Sequence, residues 1–142
     1  MISQHKREGF SPKFEVVSCF LEHDGKILLL QRQLHKPQPG TYGVPAGKVD
    51  EGETLEEAIK REISEEIGAE VNELTYFTNM FVKHDNYEFI YHMFSAPFDA
   101  SNPIQINPDE HLTHLRATPH EALTYDLIPD EDTCIKLFYK IA

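Results

Sequence analysis

Residues 47–69 read GKVDEGETLEEAIKREISEEIGA. Thr54 is a strong N-cap, and Glu57 three residues later completes a capping box, so a helix starts here. Gly68 supplies the left-handed residue that stops it. Between them Leu55, Ile59, Ile63 and Ile67 recur every fourth position, an apolar stripe suited to a core. The other side carries Glu62, Glu65 and Glu66, and Glu53 stands just before the helix. Positions i, i+3 and i+4 share one helical face, so the three carboxylates crowd together. Like charges at that spacing cost roughly a few tenths of a kcal/mol per pair. Two readings account for this: a divalent cation held between the carboxylates, or a solvated acidic face with ordinary ion pairing. Glu56–Lys60 and Glu57–Arg61 have the spacing of such pairs, whereas Glu62 and Glu66 have no basic residue one turn away.

Outward from this segment, the chain of 142 residues reads as one domain, 1–142, with residues 1–12 a polar N-terminal arm. The net charge is −11, and residues 47–69 alone hold eight acids against three bases. Bound cations would offset that concentration. Such an acidic chain is a poor binder of DNA or RNA, whose affinity comes mainly from Lys and Arg meeting phosphates. A small polyanion that arrives with its metal remains compatible. Cys19 and Cys134 lie in apolar contexts without metal-site spacing and read as buried reduced thiols. The start, MISQHKREGF, lacks the apolar core of a signal peptide, and the longest aliphatic run, Ile27–Leu30, is far too short for a bilayer. A cytoplasmic protein without membrane attachment is the expectation.

Phe14–Leu21 and Lys26–Gln33 read as strands joined through His23-Asp24-Gly25, a hairpin signal. Residues 35–43 form a Pro/Gly loop, and Val44–Val49 is short and extended. After Gly68, Val71–Lys83 and Tyr87–Phe98 resemble an antiparallel pair, followed by a polar loop over 99–109 and a last strand over Leu112–Thr118. Pro119–Leu123 is a short helix with Pro at its first position. Residues 130–141 close the chain as an amphipathic helix with acids in its first turn. This order predicts an α/β fold: a mixed sheet with helices on both faces.

The central segment resembles the signature of the Nudix hydrolases: G, five residues, E, seven residues, then R-E-U-x-E-E-x-G-U, with U a bulky aliphatic. Gly47, Glu53, Arg61-Glu62, Ile63, Glu65-Glu66 and Gly68 fall in place, and the single departure is Ala69 at the last aliphatic. The likeness continues through Leu28–Arg32 and Gly40…Pro45-Ala46-Gly47 upstream, and Asp109-Glu110 and Pro119–Leu123 downstream. The resemblance implies an α/β/α sandwich with the signature as a loop–helix–loop. It also implies hydrolysis, with Mg2+ or Mn2+, of a nucleoside diphosphate linked to a further group. Magnesium takes oxygen ligands and keeps several waters, which suits clustered carboxylates.

By the same resemblance Glu62, Glu65 and Glu66 are the core metal ligands, Gly47 offers its carbonyl, and Glu53 completes the shell. Glu62 or Glu66 could instead be the base. Glu110 is the candidate distal acid, as ligand or base, with an exposed loop residue as the alternative. Arg61 orients the glutamates. Arg32 and Lys48 are candidate phosphate contacts or surface charges, and Tyr42 either stacks on a base or packs locally. His111, His114 and His120 match no common zinc spacing. An isopentenyl-diphosphate isomerase relative would need a cysteine near the signature, and Cys19 and Cys134 are far from it in sequence. A non-catalytic nucleotide sensor would show a broken signature, and RNA decapping is disfavoured by the acidic balance. A nucleoside triphosphate is the leading substrate. ADP-ribose, sugar nucleotides and dinucleoside polyphosphates are the alternatives, although the marker proline of the ADP-ribose branch and the SQPWP pattern of the NADH branch are absent. The protein is expected to act as a monomer or homodimer.

Overall fold

The strands beside the signature explain the layering. In β2 (Phe14–His23) and β3 (Lys26–Arg32) successive side chains alternate between faces, yet the central runs Cys19–Leu21 and Ile27–Leu30 are apolar on both. Val17, Cys19, Leu21, Leu28 and Leu30 enter one buried cluster, while Phe20, Ile27 and Leu29 enter another. Strands buried on both faces need cover on both sides. The first cluster is capped by α1 (Leu55–Ile67), whose Ile59, Ile63 and Ile67 are fully buried. The second is capped by α2 (Pro119–Ala122) and α3 (Glu131–Tyr139) through Ala122, Cys134 and Ile135. The computed structural model, which describes residues 1–142, is thus the mixed α/β sandwich that the sequence implies.

The remaining strands are β1 (Ile2–Ser3), β4 (Tyr42–Gly43), β5 (Ala46–Lys48), β6 (Thr75–Lys83), β7 (Glu88–Pro97) and β8 (His111–Ala117). The sheet runs β1-β6-β7-β2-β3-β4, with β5 on β2 and β8 on β3. β2 lies parallel to β7 from Phe14↔Phe89 to Glu22↔Pro97, the crossover passing over the face that α1 covers. The other strand-to-strand pairings are antiparallel, and one isolated bridge, Tyr42↔Leu127, is parallel.

Four expectations are corrected here. The β2–β3 hairpin pairs only at its tip, Glu22↔Ile27 and His23↔Lys26. Beyond that the strands part like a fork, because β5 takes the edge of β2 at Val16–Ser18 and β4 takes that of β3 at Leu30–Gln31. The loop over 35–43 therefore ends in a strand. Strand β6 begins at Thr75 instead of Val71; Val71 packs into the first cluster from an irregular segment. The N-terminal arm is not wholly free either, since Ile2 and Ser3 pair with Val82 and Phe81, and Phe10 is buried with its ring 5.2 Å from that of Phe81.

α1 begins and ends as read: Thr54 Oγ1 accepts from the Glu57 N–H at 3.1 Å, Glu57 returns the bond to the Thr54 N–H at 2.8 Å, and Gly68 stands at φ 66°. The loop over 99–109 is tied to the helix C-terminus, where Gln105 N–H donates to the Ile67 carbonyl at 2.8 Å and Asn107 N–H to the Glu66 carbonyl at 3.2 Å. No helix is long and apolar enough to cross a membrane. Ile63 sits at the centre of the first cluster with no accessible surface. Ile63→Ala is expected to destabilise the fold by about 3 kcal/mol through lost burial and a residual cavity, read as a lower urea midpoint at unchanged m-value.

Candidate active site

The fork between β2 and β3 opens onto α1, and the carboxylates gather there. Gly47 lies on β5, opposite Val17. A Cβ at this position would collide with the Glu62 carboxyl group, so any larger residue here would push that carboxyl from its present place. Glu66 is 4% exposed and one of its oxygens accepts from the Ala46 N–H at 3.1 Å. Burial pushes its pKa well up, and the neighbouring Glu62, Glu110 and Glu65 push it further, against the opposing Ala46 bond. Burial also raises Glu62; the hydrogen bond and charge of Arg61 oppose this, and Glu65 and Glu110 add to it. Two carboxyls on one helix are therefore held in a state that resists ionisation unless positive charge arrives.

Arg61 supplies part of that charge. Its Nε and Nη2 grip the Glu53 carboxylate at 2.7 and 3.0 Å, Nη1 donates to Glu62 at 2.9 Å and reaches Glu65 at 3.3 Å, and Nη2 also donates to the Lys48 carbonyl at 2.9 Å. The Glu57–Arg61 pair anticipated from spacing does not form, because Glu57 is used by the cap and Arg61 turns toward Glu53. The Glu56–Lys60 pair does, at 3.5 Å. The Arg61 bonds come first among the causes that hold the Glu53 carboxyl below its usual range. Glu53 in turn accepts from the Asp50 N–H at 2.8 Å, which fixes the approach to the helix.

A cavity of about 230 Å³ is lined by Gly47, Lys48, Glu62, Glu66, Glu110, Arg32, Lys36, Ala46 and His111. It brings together the signature glycine, two of its glutamates and the distal acid. Ligand atoms of Glu66, Glu110 and His111 lie within 4.8 Å of one another. Oxygen donors in this number, with Glu66 held by an amide, Glu62 by Arg61 through one oxygen, and Glu110 without a cationic partner, fit a hard divalent cation. Glu53 and Glu65 do not line this cavity; Arg61 pairs with both and links them to Glu62. Arg32 and Lys48 line the cavity, although Arg32 Nε donates to the Pro37 carbonyl at 2.6 Å and Lys48 Nζ lies 4.3 Å from the Phe14 ring centre. Tyr42 is elsewhere, packed against Tyr125 with ring centres 5.1 Å apart.

A second cavity of about 260 Å³ shares Arg32, Ala46, Gly47 and Lys48 with the first. Its far wall contains Ile2, Phe89, Tyr91, Ile128, Glu131 and Cys134. The reading of α3 as a helix with acids in its first turn holds, but Glu131 turns inward. It is 2% exposed, one oxygen accepts from the Val44 N–H at 2.9 Å, and the other is buried without a partner. Burial raises its pKa to about 7, with the Val44 bond opposing and Asp132 adding a little.

Two residues of these walls were not singled out as functional in the sequence. In sequence Glu131 reads as a dipole-stabilising acid, and His111 shares with His114 and His120 the lack of any zinc spacing. His114 and His120 are indeed exposed, whereas His111 is buried beside Glu110. Burial, then Arg32 and Lys36, push its pKa down to about 4, so the ring is neutral. The usable signal for His111 was adjacency to the distal acid.

Residues 12–138 match the model of the NUDIX domain. The CTP pyrophosphohydrolase of Escherichia coli (strain K12) is 32% identical over 124 residues, 87% of this chain and 90% of that protein. Among solved structures, the E. coli ORF135 protein is 31% identical with a TM-score of 0.77, covering 90% of this chain and 89% of its own. The MutT NUDIX hydrolase of Burkholderia pseudomallei is 25% identical, also at 0.77, over 87% of this chain and 95% of its own. The chain belongs to the Nudix hydrolase family. It is an enzyme that hydrolyses a nucleoside diphosphate derivative.

Glu131 has a consequence for stability. Its carboxyl keeps its proton up to about 7 in the folded chain against an ordinary 4.5. The folded state therefore binds more protons across that window, and stability falls as pH rises through it, then levels off. Glu131→Gln, which retains an acceptor for Val44, removes this loss. Urea titrations are expected to show the variant gaining on the native chain by up to about 3 kcal/mol between pH 4 and pH 8. A pH-independent difference would exclude a buried neutral carboxyl.

Proposed function

We propose that the protein is a divalent-metal-dependent pyrophosphohydrolase that cleaves a nucleoside triphosphate to the monophosphate and pyrophosphate. The observation that carries this is the continuity of the two cavities through Arg32, Ala46, Gly47 and Lys48. An acidic chamber for cations adjoins a mostly apolar one of a size and character suited to a base. The E. coli relative is named for CTP, and this makes cytidine triphosphate the first substrate to try.

In this reading Glu66, Glu65 and Glu110 hold cations with the Gly47 carbonyl, and Glu53 completes the shell. When bound, the cations neutralise the polyphosphate and acidify a water. Glu62 is the base: Arg61 fixes one of its oxygens at 2.9 Å, and the other receives the proton of the attacking water. Arg61 keeps Glu53, Glu62 and Glu65 in register without touching substrate. Arg32 and Lys48 meet phosphate oxygens at the junction of the two cavities. For Arg32 this requires releasing or sharing its bond to Pro37. Tyr42 supports the base chamber through β4 and Tyr125 instead of stacking on substrate.

A panel of nucleoside triphosphates, ADP-ribose, sugar nucleotides and dinucleoside polyphosphates with Mg2+ or Mn2+ tests the substrate class. Pyrophosphate release from a triphosphate, abolished by EDTA and restored by metal, is the expected result. Turnover confined to the other classes would overturn the triphosphate reading. Glu62→Gln is expected to lower kcat by roughly 10²–10⁴ with little change in metal affinity, whereas Glu66→Gln is expected to weaken metal binding itself. Near-native turnover in Glu62→Gln would remove Glu62 from the role of base.

A further inference from the structure

The reaction above leaves His111 unused. It opens β8 opposite Arg32, where the register shifts between Gln31 and Arg32. The residue is 8% exposed, and its Nδ1 is buried without any hydrogen-bond partner. Buried ring nitrogens are seldom left unpaired, and one that lines an acidic chamber calls for a ligand. A ring nitrogen of His111, a carboxylate oxygen of Glu66 and one of Glu110 lie within 4.8 Å of one another, a spread that a single ion can span.

The arrangement is also braced. Asn107 N–H donates to the Glu66 carbonyl at 3.2 Å, and the Asn107 carbonyl accepts from the N–H groups of Glu110 and His111 at 3.1 and 3.0 Å. Gln33 N–H donates to the Glu110 carbonyl at 2.9 Å, and Gln33 Nε2 donates to the Pro108 carbonyl at 2.9 Å. One short loop thus fixes the acid and the imidazole against α1.

We propose that Glu66, Glu110 and His111 form a mixed carboxylate–imidazole cation subsite, with His111 as a direct nitrogen ligand. At this subsite a first-row transition ion such as Mn2+ binds in preference to Mg2+. The inference rests on the reading of the glutamate cluster as a metal centre and adds a donor that the family signature does not contain. Magnesium favours oxygen donors and keeps its waters, while an imidazole nitrogen shifts preference toward the transition series.

The test uses the full chain with one equivalent of Mn2+ and no nucleotide, so that it reads metal binding independently of turnover. Pulsed electron paramagnetic resonance is expected to show a directly bound 14N that becomes 15N when the protein is labelled with 15N-histidine. His111→Gln is expected to lose this signal, and its preference for Mn2+ over Mg2+, from competition titrations, should fall by about tenfold, a scale usual for altered metal sites. Bound Mn2+ without histidine nitrogen would overturn the role of His111 and leave the glutamate centre standing. Failure of Mn2+ to bind at all would overturn both. A His111→Gln variant that kept the nitrogen signal but needed more nucleotide for half-maximal rate would assign His111 to phosphate and sink the proposal. Should that variant not fold, the label exchange in the native sequence alone decides.

Discussion

Carboxylates that face one another where water cannot screen them repel strongly, and the rest of this structure is arranged around that constraint. Glu62 and Glu66 project from one side of α1, and Glu110 meets them from the loop before β8. Of the basic side chains nearby, Arg61 is the one that pairs with these glutamates, and its donors go to Glu53, Glu62, Glu65 and the Lys48 carbonyl. Glu66 and Glu110 receive no cationic partner within salt-bridge distance. What remains is a pair of carboxylates without an ion-pair partner, which a divalent cation would compensate. Apolar burial on the opposite side of α1 keeps the helix in place despite their repulsion, since Ile59, Ile63 and Ile67 are sealed in the first cluster.

The parted strands turn those carboxylates into a site. Had β2 and β3 remained paired along their length, β5 could not lie beside β2, and Gly47 would not reach Glu62. The same parting admits β4, to which the chain at 126–128 is fastened: Tyr42 N–H donates to the Asp126 carbonyl at 2.8 Å and the Tyr42 carbonyl accepts from Ile128 at 2.9 Å. That fastening delivers Ile128 and Glu131 to the wall of the second cavity. One departure from regular pairing thereby shapes both the acidic chamber and its apolar neighbour.

Much of this was legible in the sequence because it is local. The capping box at Thr54, the stripe through Ile67, the glycine stop and the crowding of Glu62, Glu65 and Glu66 all follow from helical spacing. The order of strands and helices likewise announced a mixed sheet with helices on both faces. What was not legible depends on partners distant in the chain. Nothing near Glu131 tells that it will meet Val44, and although Glu110 stands beside His111 in the chain, Glu66 is forty-five positions away. The expected hairpin failed beyond its tip for the same reason: turn chemistry at His23-Asp24-Gly25 is local, but competition from β5 and β4 for the strand edges is not. Tyr42 stood next to the signature in sequence, yet β4 directs it toward Tyr125.

The parallel pairing of β2 with β7 joins Phe14 to Phe89, seventy-five positions apart. Closing so long a loop is entropically costly and delays such contacts during folding. The larger cavity draws part of its wall from the two strands that this pairing joins, Val16 from β2 and Phe89 and Tyr91 from β7. A partly folded chain would retain the helix and its carboxylates but not the enclosure. A ligand that needs this enclosure would therefore favour the finished fold, and its binding would add resistance to unfolding that grows as the logarithm of its concentration over Kd. In a cell that resistance would rise and fall with the supply of ligand.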